Sequence, residues 1–169
     1  SGFPKGDKLE LITQKVTELG ASQIWAFPAD WSVAKWDGKK LGKKVEKLEK
    51  IALGAAEQSK RNFIPSIKMF ERKSDFLAQF DQFNRIVVAY EESAKEGESA
   101  ALIQAVAGLE KGAKLLFIFG PEGGLSPAEI ESFEAKGAIL AGLGPRILRA
   151  ETAPLYALSA ISVLLELKK

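Results

Sequence analysis

Apolar positions along this chain recur with two periods, and the alternation between them lays out the elements. Leu9, Ile12, Val16 and Leu19 follow helical spacing between Asp7, a natural N-cap, and Gly20, a natural stop. Ser22 to Phe27 (SQIWAF) reads as a short strand ended by Pro28, with Trp25 inside it as a core residue. After a loop carrying Trp31 and Trp36, a long amphipathic helix is expected from Lys39 to about Ser59. Its apolar line is Leu41, Val45, Leu48, Ile51, Ala52 and Ala55, and its other face is rich in lysine. Beyond Pro65 a short strand is expected over Ser66 to Met69, then a helix from Ser74 with Phe76, Leu77 and Phe80, then a buried strand RIVVAY from Arg85 to Tyr90. Glu91 to Glu98 reads as a polar loop and a helix follows from Ala100. Ala138 to Leu143 is the last strand, and Pro154 to Leu167 a closing helix that is apolar on nearly all sides.

The stretch around which these elements are arranged is LLFIFGPEGGLS, Leu115 to Ser126. An uninterrupted apolar run bounded by Gly and Pro reads as a strand covered on both faces of a parallel sheet. A helix start follows: Ser126 as N-cap, Pro127 at the first turn and Glu129 placed to complete a capping box, with the helix reaching about Lys136. Strand, glycine turn and helix in succession form the place where open α/β sheets bind ligands. Gly120, Gly123 and Gly124 would let a ligand approach the backbone closely; a plain turn needing positive φ uses the same residues. Strands alternating with helices predict an α/β domain, with a mostly parallel sheet and helices on both faces.

Composition narrows the chemistry. The chain has no Cys and no His, which removes Ser-His-Asp and Cys-His catalysis and the usual zinc sites. Reactions are left to carboxylates, Lys, Arg, hydroxyls, backbone dipoles or a bound cofactor. With no thiol, no apolar run of bilayer length and no signal-peptide pattern, a cytoplasmic setting without membrane attachment is expected. Ser1-Gly2 reads as an appendage outside the fold. The net charge of +2 hides a split: residues 35–73 carry +7 and the rest −5. A basic segment on a mildly acidic body is the footprint of a site for an anionic polymer.

Two loops at strand ends, GPEGG at 120–124 and LGPRILRAET at 143–152, should open on one edge of a parallel sheet. With FIFGPEGGLSPAEI and LGPRILRAETAPLYAL in that order, the sequence resembles the SPOUT class of trefoil-knotted methyltransferases. Within that class it is similar to the ribosomal RNA small subunit methyltransferase E family, which methylates N3 of a uridine in 16S rRNA. KGDKLELITQKVTELG at 5–20, SVAKWDGKK at 32–40 and AAEQSKR at 55–61 extend the resemblance over essentially the whole chain. It departs from the family in two places, with Trp31 where a basic residue is usual and Lys60 where glycine is usual. The family's N-terminal RNA-binding domain of the PUA kind has no counterpart before Phe3, so residues 3–169 are expected to be the methyltransferase domain alone.

The resemblance implies a C-terminal trefoil knot and S-adenosylmethionine as methyl donor. The expected slot for it is lined by Ala89, Tyr90, Gly120, Pro121, Glu122, Gly123, Leu143, Gly144, Ile147 and Leu148. Such a slot suits adenine, an apolar plate with polar edges. Removing the N3 imide proton calls for a carboxylate, and the uracil anion for a cation. Glu151 and Arg149 are the candidates, with Arg146 and Glu122 in reserve. The competing structural reading has Glu151 capping the last helix and Arg149 paired with a carboxylate. Lys39, Lys40, Lys43, Lys44, Lys47, Lys60 and Arg61 are candidates for RNA phosphates, and Trp31 and Trp36 for unpaired bases. A solvated helix face would explain the lysines equally well. The closing helix suggests a homodimer interface. Two other readings stay open: a silent RNA-binding module of the same fold, and a nucleotide enzyme using GPEGG for phosphates. The second lacks both the Walker lysine and the GxGxxG spacing.

Overall fold

The computed structural model describes residues 1–92 and 101–167. In chain order the elements are α1 (Lys8–Glu18), β1 (Gln23–Ala26), α2 (Gly38–Gln58), β2 (Ser66–Met69), α3 (Lys73–Leu77), a 3-10 turn (Phe80–Gln82), β3 (Arg85–Ala89), α4 (Ala101–Ala107), β4 (Leu115–Ile118), α5 (Pro127–Ala135), β5 (Ile139–Ala141) and α6 (Thr152–Glu166). Every strand of the pattern-based reading is present. The polar loop expected over 91–98 is not observed where it is visible: Glu91 and Glu92 are helical, and 93–98 lie outside the described residues. Asp7 occupies the N-cap position of α1, but its side chain makes no capping bond.

All strand pairs are parallel. β1 pairs with β2, Gln23 opposite Ser66, and β3 lies between β4 and β5, with Val87 opposite both Phe117 and Ile139. The two sheets are joined by the segment taken above for an appendage. The Gly2 N–H donates to the Phe119 carbonyl at 2.8 Å, the Phe3 N–H to Phe27 at 2.8 Å, and the Phe27 N–H to Ser1 at 3.0 Å. A Cβ on Gly2 would meet the Pro121 ring at 2.7 Å, so only glycine fits this splice. The rest of the gap between β1 and β4 is a groove of about 930 Å³.

Alternating residues send each strand's side chains to opposite faces. On one face Trp25, Phe27, Ile86, Val88, Leu116 and Ile118 pack with Phe76 of α3, Phe80 of the 3-10 turn, and Ile130 and Phe133 of α5. Phe76 anchors that layer, stacked on Phe27 at 4.3 Å and edge-on to Phe80 at 5.0 Å. On the other face Val87 and Ala141 pack against α4 and α6, Ala26 against α2, and Ile24 against α1. The chain crosses from β4 over β3 to β5, an order consistent with the implied knot. α6 buries Pro154 and Ala157 but leaves Tyr156, Val163 and Leu165 exposed, as is Leu167 just past its end.

Candidate active site

The two loops expected to share one sheet edge do so. β4 ends at Ile118, and Phe119 carries the chain into the turn 120–124, which Gly124 closes at φ +81° with its N–H on the Pro121 carbonyl. The turn is tight because Gly120 lies against Gly124 and Leu125; a Cβ there would meet three of their atoms at 3.1 Å. Ser126 then starts α5 with a complete capping box: its hydroxyl accepts from the Glu129 N–H at 3.1 Å, and Glu129 Oε1 accepts from the Ser126 N–H at 2.9 Å. From β5 the chain enters 143–150, with Gly144 at φ +89° beneath the Tyr156 hydroxyl.

Between these loops lies a cavity of about 740 Å³. Ala89, Tyr90, Gly120, Pro121, Glu122, Gly123, Leu143, Gly144, Ile147 and Leu148 all line it, together with Arg146, Arg149 and Trp31. The same wall includes Phe119, Leu125 and Lys8, which sequence reasoning assigned no part. The walls are largely apolar, with charge gathered at the rim.

Lys8, from the first turn of α1, organises that rim. Its ammonium stands 3.4 Å from Glu151 and 3.7 Å from Glu122, and the Lys5 N–H donates to Glu122 as well. The two candidate carboxylates, one per loop, are thus drawn to one cation. Glu151 occupies the N-cap position of α6 without a capping side-chain bond. A bond with its own backbone, and then Lys8 and Arg149 nearby, hold its carboxyl below the usual carboxylate range. Arg146 and Arg149 are both exposed.

The candidate RNA residues divide. Lys39, Lys40, Lys43 and Lys47 are exposed on α2, whose N-cap Asp37 accepts from the Lys40 N–H at 3.1 Å; Lys47 is 3.7 Å from Glu10. Lys44 lies over the Trp36 ring at 4.0 Å, and that ring packs on Phe3 at 4.8 Å, so Trp36 belongs to the packing around α2 and not to the cavity. Arg61 is engaged elsewhere too. Its Nη1 donates to the carbonyls of Thr17 and Ala21 at 2.9 and 2.8 Å, tying the end of α2 to the turn that follows α1. Lys60 has φ +60°, and bonds from the Lys60 N–H to Glu57 and the Arg61 N–H to Ala56 close α2 in a Schellman turn. Lys60 is therefore a left-handed helix stop.

A parallel α/β fold with a cavity built from the loops at the carboxyl ends of β3, β4 and β5 defines the class: an α/β domain with its candidate site at the strand ends. The chain belongs to the RNA methyltransferase domain family, whose pattern matches residues 1–162. It is 54% identical over 167 residues to the ribosomal RNA small subunit methyltransferase E of Bacillus subtilis, covering 99% of this chain and 65% of that protein. The protein of the same description from Mycobacterium bovis is 32% identical over 169 residues, covering 96% and 61%. A crystal structure of ribosomal RNA small subunit methyltransferase E from Neisseria gonorrhoeae, bound to S-adenosyl methionine, superimposes with a TM-score of 0.76 at 25% identity, covering 97% of this chain and 64% of that one. The chain thus spans about two thirds of the length of these relatives.

Proposed function

We propose that this chain carries out methyl transfer from S-adenosylmethionine to N3 of a uridine in small-subunit ribosomal RNA. The observation that carries the reading is the single cavity in which the 120–124 and 143–150 loops meet. Its volume lies within the range of small-molecule sites, and its apolar walls with glycine backbone fit a nucleoside. Leu125, Leu143 and Leu148 would flank the adenine, and the backbone of Gly120 and Gly144 would reach its polar edge. When bound, this cofactor supplies a methyl group activated on a sulfonium.

The protein's own share is to orient the base and manage its proton. Glu151, which does not itself line the cavity but pairs with Lys8 on its wall and is held ionised by its surroundings, would accept the N3 proton through water. Arg149, exposed on the cavity wall, is placed to stabilise the uracil anion. Trp31 stands half-exposed at the rim, where a splayed base could stack on it. Lys39, Lys40 and Lys43 extend a basic face along α2 for phosphates. The exposed apolar residues of α6 would be covered by a second copy of the chain, making the active form a homodimer.

Calorimetry tests the reading. S-adenosylmethionine and its demethylated product should bind the chain, while ATP and NAD should not. Absence of binding by both methyl-donor ligands at millimolar concentration would end the proposal.

A further inference from the structure

Glu129 does more than complete a capping box. Its side chain is 1% exposed, yet it gathers partners from three places: the Ser126 N–H, the Asp30 N–H at 3.0 Å and the Lys73 ammonium at 3.0 Å. Asp30 closes the cluster, accepting from the Ser126 hydroxyl through one carboxylate oxygen and from Lys73 through the other. The Ser126 hydroxyl thereby donates to Asp30 while accepting from Glu129. The bonds from Lys73 and Ser126 hold the Asp30 carboxyl below its usual range.

The cluster sits beneath the cavity rim and ties down a particular loop. Residues 28–37 run from β1 to α2, and Ala29 is buried against the aromatic layer. Next to Asp30, Trp31 lies on the glycine turn: a Cβ built on Gly123 would stand 3.2 Å from Trp31 Cβ and 3.3 Å from its carbonyl oxygen. The loop that presents Trp31 is therefore clamped to the start of α5, the helix that follows the cofactor turn. Backbone and side chain of one residue, Asp30, supply the loop's half of the clamp.

We propose that Asp30 is a positioning residue. By joining the 28–37 loop to Ser126, Glu129 and Lys73 it fixes where Trp31 stands over the cavity, and so governs transfer to the RNA base while leaving cofactor affinity alone. This rests on the methyl-transfer reading above. Asp30 itself does not line the cavity and touches neither reactant.

The test compares wild type with Asp30→Ala and Asp30→Asn. Three measurements are made: methyl transfer to an RNA transcript, calorimetric affinity and stoichiometry for S-adenosylhomocysteine, and amide hydrogen exchange over residues 29–36, with α1 as internal control. A displacement of about an ångström in a reacting group can cost on the order of a hundredfold, so Asp30→Ala should lose roughly ten- to a hundredfold in kcat/KM for RNA. Its affinity and stoichiometry for S-adenosylhomocysteine should stay at the wild-type values, and exchange should quicken over 29–36 but not in α1. Asn keeps an acceptor for the Ser126 hydroxyl, so Asp30→Asn should recover much of the rate. Wild-type transfer by Asp30→Ala overturns the inference, as does a fall in cofactor affinity that tracks the fall in rate. Wild-type protein that binds S-adenosylhomocysteine but transfers no methyl group removes the underlying reading and this inference with it, which is a different result from an active wild type with an indifferent Asp30.

Discussion

Three side chains, Lys8, Arg61 and Lys60, show how position decides what a basic residue does. Lys8 draws together carboxylates from both cavity loops. Arg61, a candidate for RNA phosphates from its sequence position, instead donates through Nη1 to two carbonyls where the chain leaves α1. Lys60 holds a left-handed backbone, which costs a residue with a Cβ about 1–2 kcal/mol relative to its ordinary conformations. Lys60→Gly should accordingly stabilise the chain by about 1 kcal/mol in urea denaturation, with an unchanged m-value. Arg149 is predicted to act on the transition state and not on the resting complex. Arg149→Ala should keep its affinity for S-adenosylhomocysteine and lose about a hundredfold or more in methyl transfer. Unchanged transfer would remove Arg149 from the mechanism.

At the level of elements, what the sequence made legible was local. The capping box of α5 was readable because its partners lie three residues apart, and it forms as expected. β3, β4 and β5 were readable from apolar runs, and the faces of α2 from helical spacing. The reach of Glu129 to Asp30, 99 residues away, leaves no periodic trace. Nor could spacing show that Ser1–Phe3 would splice two sheets, since three residues with one large apolar side chain carry no strand signal. α2 itself yields a test. Exposed Lys39, Lys40 and Lys43 are its outward charges nearest the loop that carries Trp31. Replacing all three with Ala should weaken RNA binding and flatten the dependence of log K on log salt by up to about 0.7 per lysine. A slope equal to wild type would return α2 to the status of a solvated helix face.

For the molecule as a whole, stability and assembly carry the remaining predictions. Asp30 is depressed from its usual pKa, so its contribution is present above the ordinary carboxylate range and is lost as the pH falls through its lowered value. Lys73 is raised: burial opposes its charge, but bonds to Asp30 and Glu129 outweigh that, and its contribution is lost only as the pH rises through the raised value. The clamp should therefore hold across the neutral range. Thermal midpoints followed from pH 7 down to pH 3 should drop less steeply in Asp30→Asn than in wild type, and parallel curves would refute this. The proposed homodimer would rest on α6, where Val163 and Leu165 stand 56 and 48% exposed, and on Leu167 just beyond it. Sedimentation should show a dimer that Val163→Glu converts to monomer; a wild-type monomer at micromolar concentration would remove the interface.

The order in which the cavity's walls occur along the chain also bears on synthesis. One wall follows β4, but the other arrives only after β5, in the stretch leading into α6. A polypeptide emerging from the ribosome can lay down all five strands before the proposed pocket for the methyl donor has both its walls. The 143–150 loop runs directly into α6, which adds Ala153 to the cavity, so fraying of α6 should weaken binding of the proposed methyl donor while the strands stay folded.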